Sequence, residues 1–129
     1  MTADETMLKE AHEECGLAGI LADGIRHVST IRYVMAREEG LRRDVLRCYD
    51  VVLPADWSPE AIDGEVESFD LWPLERAFAE VRDGDGFKFN VNLVLIDLFL
   101  RTGLVDPAGA EGRNLRAALA AMDLSLIHI

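Results

Sequence analysis

Basic residues are scarce in this sequence, which has 13 Lys and Arg against 24 Asp and Glu and a formal net charge of −11. A protein that binds a nucleic-acid backbone or an anionic membrane surface needs positive charge to neutralise the phosphates. The charge balance therefore argues against both kinds of partner. The acidic excess suits divalent cations instead, because carboxylate oxygens are their preferred ligands.

Cysteine and long apolar runs are also scarce. The sequence has only Cys15 and Cys48 and no export signal at its start, so we expect two free thiols in a reducing cytoplasm. The longest apolar run, Val91 to Leu100, contains Asp97 and is shorter than the roughly 18 residues of a membrane span. With 129 residues, 50% of them hydrophobic, the sequence predicts one cytoplasmic domain without a membrane segment.

Helical and strand patterns alternate along the chain, which indicates an α/β protein. Thr2 and Glu5 have the spacing of a capping box, and Gly16 suits a left-handed C-cap, so a helix is predicted from about Ala3 to Gly16. Apolar periodicity predicts a strand hairpin (25–35 with 45–53), a further strand (65–72), a helix after Pro73, a buried helix capped by Asn90 (91–102) and a final helix (114–122).

Three carboxylates lie close together on the first helix. At about 100° per residue, Glu10, Glu13 and Glu14 occupy an arc of only about 100° beside the apolar stripe. Their mutual repulsion would destabilise the helix, unless a hard, oxygen-seeking cation compensates it. Among such cations, Mg²⁺ or Mn²⁺ fits these three carboxylates best. The alternative is a solvated glutamate-rich face that binds no metal.

The stretch Lys9 to Leu17 resembles the second half of the Nudix box, G-x5-E-x7-R-E-U-x-E-E-x-G-U, where U is a bulky aliphatic residue. The matching residues are Glu10, Glu13, Glu14, Gly16 and Leu17. Lys9 replaces the arginine, which keeps the charge but loses bidentate geometry, and Ala11 is smaller than the usual aliphatic residue. The earlier glutamate of the box would fall on Met1, so we expect the N-terminal strands of the domain to be missing.

Further segments resemble a Nudix subfamily whose domain is linked to thiamine pyrophosphokinase. The similar segments are YDVVLP (49–54), DGEVESF (63–69), FKFNVN (87–92) and LID (95–97). The resemblance implies an incomplete Nudix-type α-β-α sandwich with a mixed β-sheet over residues 1–123. It also implies a metal-dependent hydrolase that cuts the diphosphate linkage of a small nucleoside-diphosphate-like or thiamine-diphosphate-like metabolite.

The same resemblance implies roles for individual residues. Glu10, Glu13 and Glu14 would ligate Mg²⁺ or Mn²⁺. Glu10 and Glu14, with Lys9 orienting a carboxylate, would form the catalytic set. A later acidic residue, Glu65 or Glu67, would complete the site, although each is equally consistent with a polar strand edge.

Two further expectations concern activity and the chain ends. The alternative function is a catalytically silent Nudix-like module that binds a ligand or protein, and the intact carboxylates argue against it. The last six residues, 124–129, match the translation of a transposon-end sequencing adapter, so we interpret them as read-through. Because the first strands are missing, we expect this fragment alone to have low activity. The sequence carries no signal for an oligomeric state.

Overall fold

A computed structural model describes residues 1–122 and the backbone of residues 126–128. Its elements are α1 (Ala3–Cys15), α2 (Gly19–Asp23), β1 (Arg26–Arg37), β2 (Gly40–Asp50), α3 (Leu74–Asp83), α4 (Phe89–Thr102), α5 (Ala110–Ala121) and β3 (Leu126–His128). The chain forms two compact units, Met1–Val28 with Arg47–Leu71 and Ser29–Leu46 with Trp72–Ile129. The mixture of helices and a small sheet agrees with the predicted α/β class. In the described part of the chain, no helix is both long and apolar enough to cross a membrane.

Local interactions define both ends of α1 in the first unit. The Thr2 hydroxyl accepts a hydrogen bond from the Glu5 amide, and the Glu5 carboxylate accepts one from the Thr2 amide, each at 3.1 Å. At the other end Gly16 has a φ of 78°, a left-handed conformation that favours glycine. The amide of buried Leu17 donates to the carbonyl of buried Ala11. The predicted capping box and helix end are confirmed.

The predicted hairpin is also confirmed. β1 and β2 are neighbours in the sheet, and both strands contribute residues to both units. In the second unit, Ile31, Tyr33 and Met35 are buried and Arg32 is exposed, which is the two-residue period of a half-buried strand. The backbone of β3 runs parallel to β1, with residue 126 opposite Val34. The rest of the predicted adapter segment, 124, 125 and 129, lies outside the described residues.

Three helices form the core of the second unit. α4 packs against α3 and α5, and the buried core residues are Ala77, Phe99, Leu100 and Val105. The rings of Phe78 and Phe99 meet edge to face, with centroids 5.5 Å apart. α4 ends at Gly103, as predicted, with a φ of 81°.

Asp97 is a buried carboxylate on α4. Arg101 lies four residues further along the helix, and its Nε is 2.7 Å from a carboxylate oxygen of Asp97. Only 3% of Asp97 is exposed. Burial is tolerated because the Ser29 hydroxyl and the Arg116 guanidinium also donate, at 2.6 and 3.3 Å.

Several predicted elements are wrong. Residues 65–72 form no strand, because an alternating pattern needs a neighbouring strand to bond its backbone, and the described sheet contains only β1, β2 and β3. Asn90 does not cap α4, which begins at Phe89 with Lys88 at the N-cap position. The last helix begins at Ala110, before the predicted start. The short helix α2 was not predicted, since five residues are too few to show a helical period.

Candidate functional site

The second half of α1 carries the acidic residues that the sequence singled out. Glu10, Glu13 and Glu14 all lie on this helix. The Lys9 Nζ lies 3.5 Å from a carboxylate oxygen of Glu13, four residues along the helix. Both side chains are partly exposed, so this pair contributes little to stability. Its effect is to restrict the directions in which Glu13 can point.

The loop 60–65 is attached to the end of α1 by its backbone. The Glu60 amide donates to the Cys15 carbonyl at 2.9 Å, and the Asp63 amide donates to the Glu13 carbonyl at 3.0 Å. These bonds satisfy helix carbonyls that have no partner within the helix. The Asp63 carboxylate in turn accepts a hydrogen bond from the Glu65 amide at 3.1 Å. Two more acidic residues are thereby held beside the helix end.

The electrostatics of Glu14 show which carboxyl groups are close together. The pKa of Glu14 is raised above its usual value of 4.5, first by partial loss of water around it and then by the negative charge of Glu10. Asp63 and Glu65 raise the pKa further. Each neighbour makes ionisation of Glu14 less favourable because like charges repel. Ionisation of Glu14 is therefore opposed by acidic residues of both the helix and the loop.

The structure groups only part of the predicted site. Of the later acidic candidates, Glu65 is among the groups that raise the pKa of Glu14 and Glu67 is not. Sequence reasoning missed Asp63, because an Asp-Gly pair such as Asp63-Gly64 is a turn signal and does not by itself indicate a site. In residues 1–122 and 126–128, no three acidic, His or Cys side chains converge closely enough to hold a metal ion.

A cavity of about 910 Å³ lies against the same end of α1. Glu14 and Cys15 line it, together with the apolar residues Met7, Ala11 and Leu17. The Cys15 thiol donates to the Ala11 carbonyl at 3.0 Å, so it is held along the helix. Other parts of the wall come from the end of β2 and from the irregular segment 51–71. Every lining residue belongs to the first unit.

An apolar cavity of this size with a few acidic groups at its edge is typical of a small-molecule site. Comparison with known proteins indicates which family of proteins this chain is similar to. The chain is 36% identical over 119 residues to Nudix hydrolase 20, chloroplastic, of Arabidopsis thaliana, which covers 92% of this chain and 32% of that protein. It is 41% identical over 103 residues to Nudix hydrolase 24, chloroplastic, of the same plant, covering 80% and 28%.

A third relative is an uncharacterized protein of Saccharomyces cerevisiae, 31% identical over 115 residues, which cover 80% of this chain and 33% of that protein. No family model matches the chain. The chain spans about a third of the length of these relatives. Homology to two Nudix hydrolases supports the predicted Nudix superfamily.

Proposed function

We propose that this chain carries the metal-binding helix and the C-terminal part of a Nudix-type α-β-α domain that hydrolyses the diphosphate linkage of a small molecule. The observation that carries the proposal is the grouping of Glu14 with Glu10, Asp63 and Glu65 at the edge of the cavity. The homology to Nudix hydrolases supports the superfamily and a hydrolase in general. A small organic diphosphate can place its phosphates at the helix end and its organic group in the cavity.

The donor chemistry of the helix end fits a hard divalent cation. The grouped side chains are carboxylates, and Glu10, Asp63 and Glu65 each raise the pKa of Glu14, so a cation bound among them would relieve their repulsion. Mg²⁺ or Mn²⁺ favours such oxygen ligands. Because no three of the described acidic side chains converge closely enough to hold an ion in the structure, Glu10, Glu13 and Glu14 would have to turn toward the cation to hold it, and Asp63 or Glu65 would complete the set. When bound, the cation activates a water molecule and stabilises charge on the phosphoryl oxygens.

The protein groups then have distinct tasks. Lys9 keeps Glu13 directed along the helix through their ion pair. Glu13 and Glu14 would be metal ligands, and Glu10 would be a further ligand or help to activate the attacking water. The cavity holds the organic part of the substrate and excludes water from it.

For the substrate we propose a thiamine-diphosphate-like metabolite, with a nucleoside-diphosphate-like metabolite as the alternative. The support is the resemblance of residues 49–54, 63–69 and 87–92 to the thiamine-related subfamily. A panel of thiamine diphosphate, ADP-ribose, UDP-glucose and a dinucleotide polyphosphate, with products separated by chromatography, would test it. A preference for ADP-ribose or the dinucleotide polyphosphate would show that the proposed thiamine-diphosphate-like substrate is wrong. Separately, we propose that the protein is located in the cytoplasm.

Replacing Glu14 by glutamine tests the proposed function. Glutamine keeps the size and helical fit but removes the charge, so we expect metal-dependent turnover to fall about a hundredfold or more. The measured quantity is the ratio of turnover between the variant and the parent chain, which does not depend on the absolute activity of the parent.

Glu5→Gln is the matched control on the same helix. Glutamine can replace glutamate in a capping box, so this variant should keep parental turnover. Equal turnover and equal metal dependence in the parent and Glu14→Gln would refute the proposed site. A parent chain that binds ligand without any turnover would support the silent binding module.

A further inference from the structure

The cavity beside Glu14 has the size and lining of a site for a planar organic group. Its volume of about 910 Å³ lies in the range of small-molecule sites, roughly 300–1,000 Å³. Three aromatic side chains, Tyr49, Trp57 and Phe69, contribute to the wall. Aromatic side chains in a cavity wall favour flat rings as ligands, because stacking buries one face of each of the two rings.

Contacts hold the ring of Tyr49 and the backbone of Trp57 in place. The Tyr49 hydroxyl donates to a carboxylate oxygen of Asp4 at 2.7 Å and accepts from the Arg47 Nε at 3.2 Å. The imidazole of His27 meets the Tyr49 ring at a centroid distance of 5.5 Å. The amide of Trp57 donates to the Pro54 carbonyl at 3.1 Å in a tight turn. A wall that is already ordered loses little entropy when a ring binds.

The charges of the wall have one sign. Asp50 and Asp70 line the cavity together with Glu14, and none of the described lining residues is Lys, Arg or His. A negatively charged organic group would be repelled by these carboxylates. A cationic ring is attracted both by the carboxylates and by the faces of the aromatic side chains.

We propose that this cavity selects the organic half of the substrate, accepting an aromatic ring that is cationic or neutral and rejecting one that is anionic, with Trp57 as the stacking residue. The inference rests on the proposed function, because it assigns the cavity to that substrate. It predicts that diphosphates with a further phosphate or carboxylate on the organic half are poor substrates. Asp50 and Asp70 set the charge preference, and Trp57 sets the preference for planarity.

Three planar compounds of nearly equal size test the charge preference: 1-methylnicotinamide is a cation, nicotinamide is neutral and nicotinate is an anion. Isothermal titration of the unaltered chain without divalent cations gives the dissociation constant of each. A unit charge about 8 Å from a carboxylate changes affinity about twofold at the dielectric constant of bulk water and about thirtyfold at the lower effective value near a protein surface, and the cation and the anion differ by two unit charges. We therefore expect the cation to bind at least about fivefold more tightly than the anion, with the neutral ring between them.

Two variants separate stacking from charge. Trp57→Leu should weaken the binding of all three compounds by a similar factor, while Asp50→Asn combined with Asp70→Asn should reduce the difference in affinity between cation and anion to the part that Glu14 contributes. Far-UV circular dichroism establishes that each variant is folded, and the order of affinities in the unaltered chain decides the matter if a variant does not fold. Nicotinate binding as tightly as 1-methylnicotinamide would overturn the inference, as would no binding of any ring.

This experiment contains neither metal nor phosphate, so its failure is distinct from failure of the proposed function. If Glu14→Gln loses hydrolysis and the cavity shows no preference among the rings, the proposed hydrolase function stands and the assignment of the cavity is wrong. If the cavity prefers the cationic ring but the unaltered chain hydrolyses no diphosphate, the charge preference stands and the proposed hydrolase function is wrong.

Discussion

Gly16, at the end of α1, lies against Glu60 at the start of the loop that carries Asp63 and Glu65, so Gly16→Ala tests whether this close approach organises the site. An L residue at its φ of 78° is strained by about 1 kcal/mol. The new Cβ would also lie 3.2 Å from the Glu60 carbonyl oxygen, and relieving that contact adds about 1 kcal/mol. We expect a loss of about 2 kcal/mol in the free energy of unfolding, measured with urea.

The same substitution should act on the carboxylates. If the loop moves away from the helix end, Asp63 and Glu65 withdraw from Glu14, and the raised pKa of Glu14 should shift back toward 4.5. An NMR titration of the side-chain carboxyl carbons measures this pKa directly.

Gly19→Ala is the matched control in the same unit. Gly19 has a φ of 65°, but no described heavy atom lies within 4 Å of the position that its Cβ would take. It should lose only the backbone component of about 1 kcal/mol and leave the pKa of Glu14 unchanged. Equal losses in the two variants, with no change at Glu14 in either, would refute the idea that the close approach of Gly16 and Glu60 organises the site.

Two further predictions concern the same carboxylates. Folding raises the pKa of Glu14, so its ionised form destabilises the fold above that pKa, and the destabilisation disappears as the pH falls below 4.5. Glu14→Gln without metal should therefore be more stable than the parent chain at pH 7 and equally stable at pH 4, as measured by urea unfolding; a constant difference would contradict the sign. Glu65→Gln should lower the pKa of Glu14 in an NMR titration, whereas Glu67→Gln should not, and equal effects would show that the loop does not distinguish these two residues.

Local interactions explain which elements could be predicted from the sequence. Both ends of α1 depend on residues within a few positions of each other, namely the capping box of Thr2 and Glu5 and the left-handed Gly16. The alternation of buried residues in β1 is equally local. The segment 65–72 also alternates, but a strand needs backbone partners from elsewhere in the chain, and its own residues cannot specify them.

In the candidate site, too, relations between residues close in sequence could be predicted, and contacts between distant segments could not. The helical period alone places Glu10 near Glu14, so the sequence could group them. Asp63 is far from them in sequence, and only the backbone bonds of loop 60–65 to Glu13 and Cys15 bring it close. A turn signal such as Asp63-Gly64 indicates where the chain reverses but not which surface the reversed chain meets.

Glu13 and Glu14 occupy the last turn of α1, where the aligned peptide dipoles leave partial negative charge. Carboxylates there add to that field, and the formal net charge of −11 extends it over distances of about 8 Å at physiological ionic strength. A bare diphosphate approaching this helix end is repelled, whereas its magnesium complex carries less negative charge. We therefore expect the metal complex to be the form that reaches α1, and its rate of association to respond weakly to added salt.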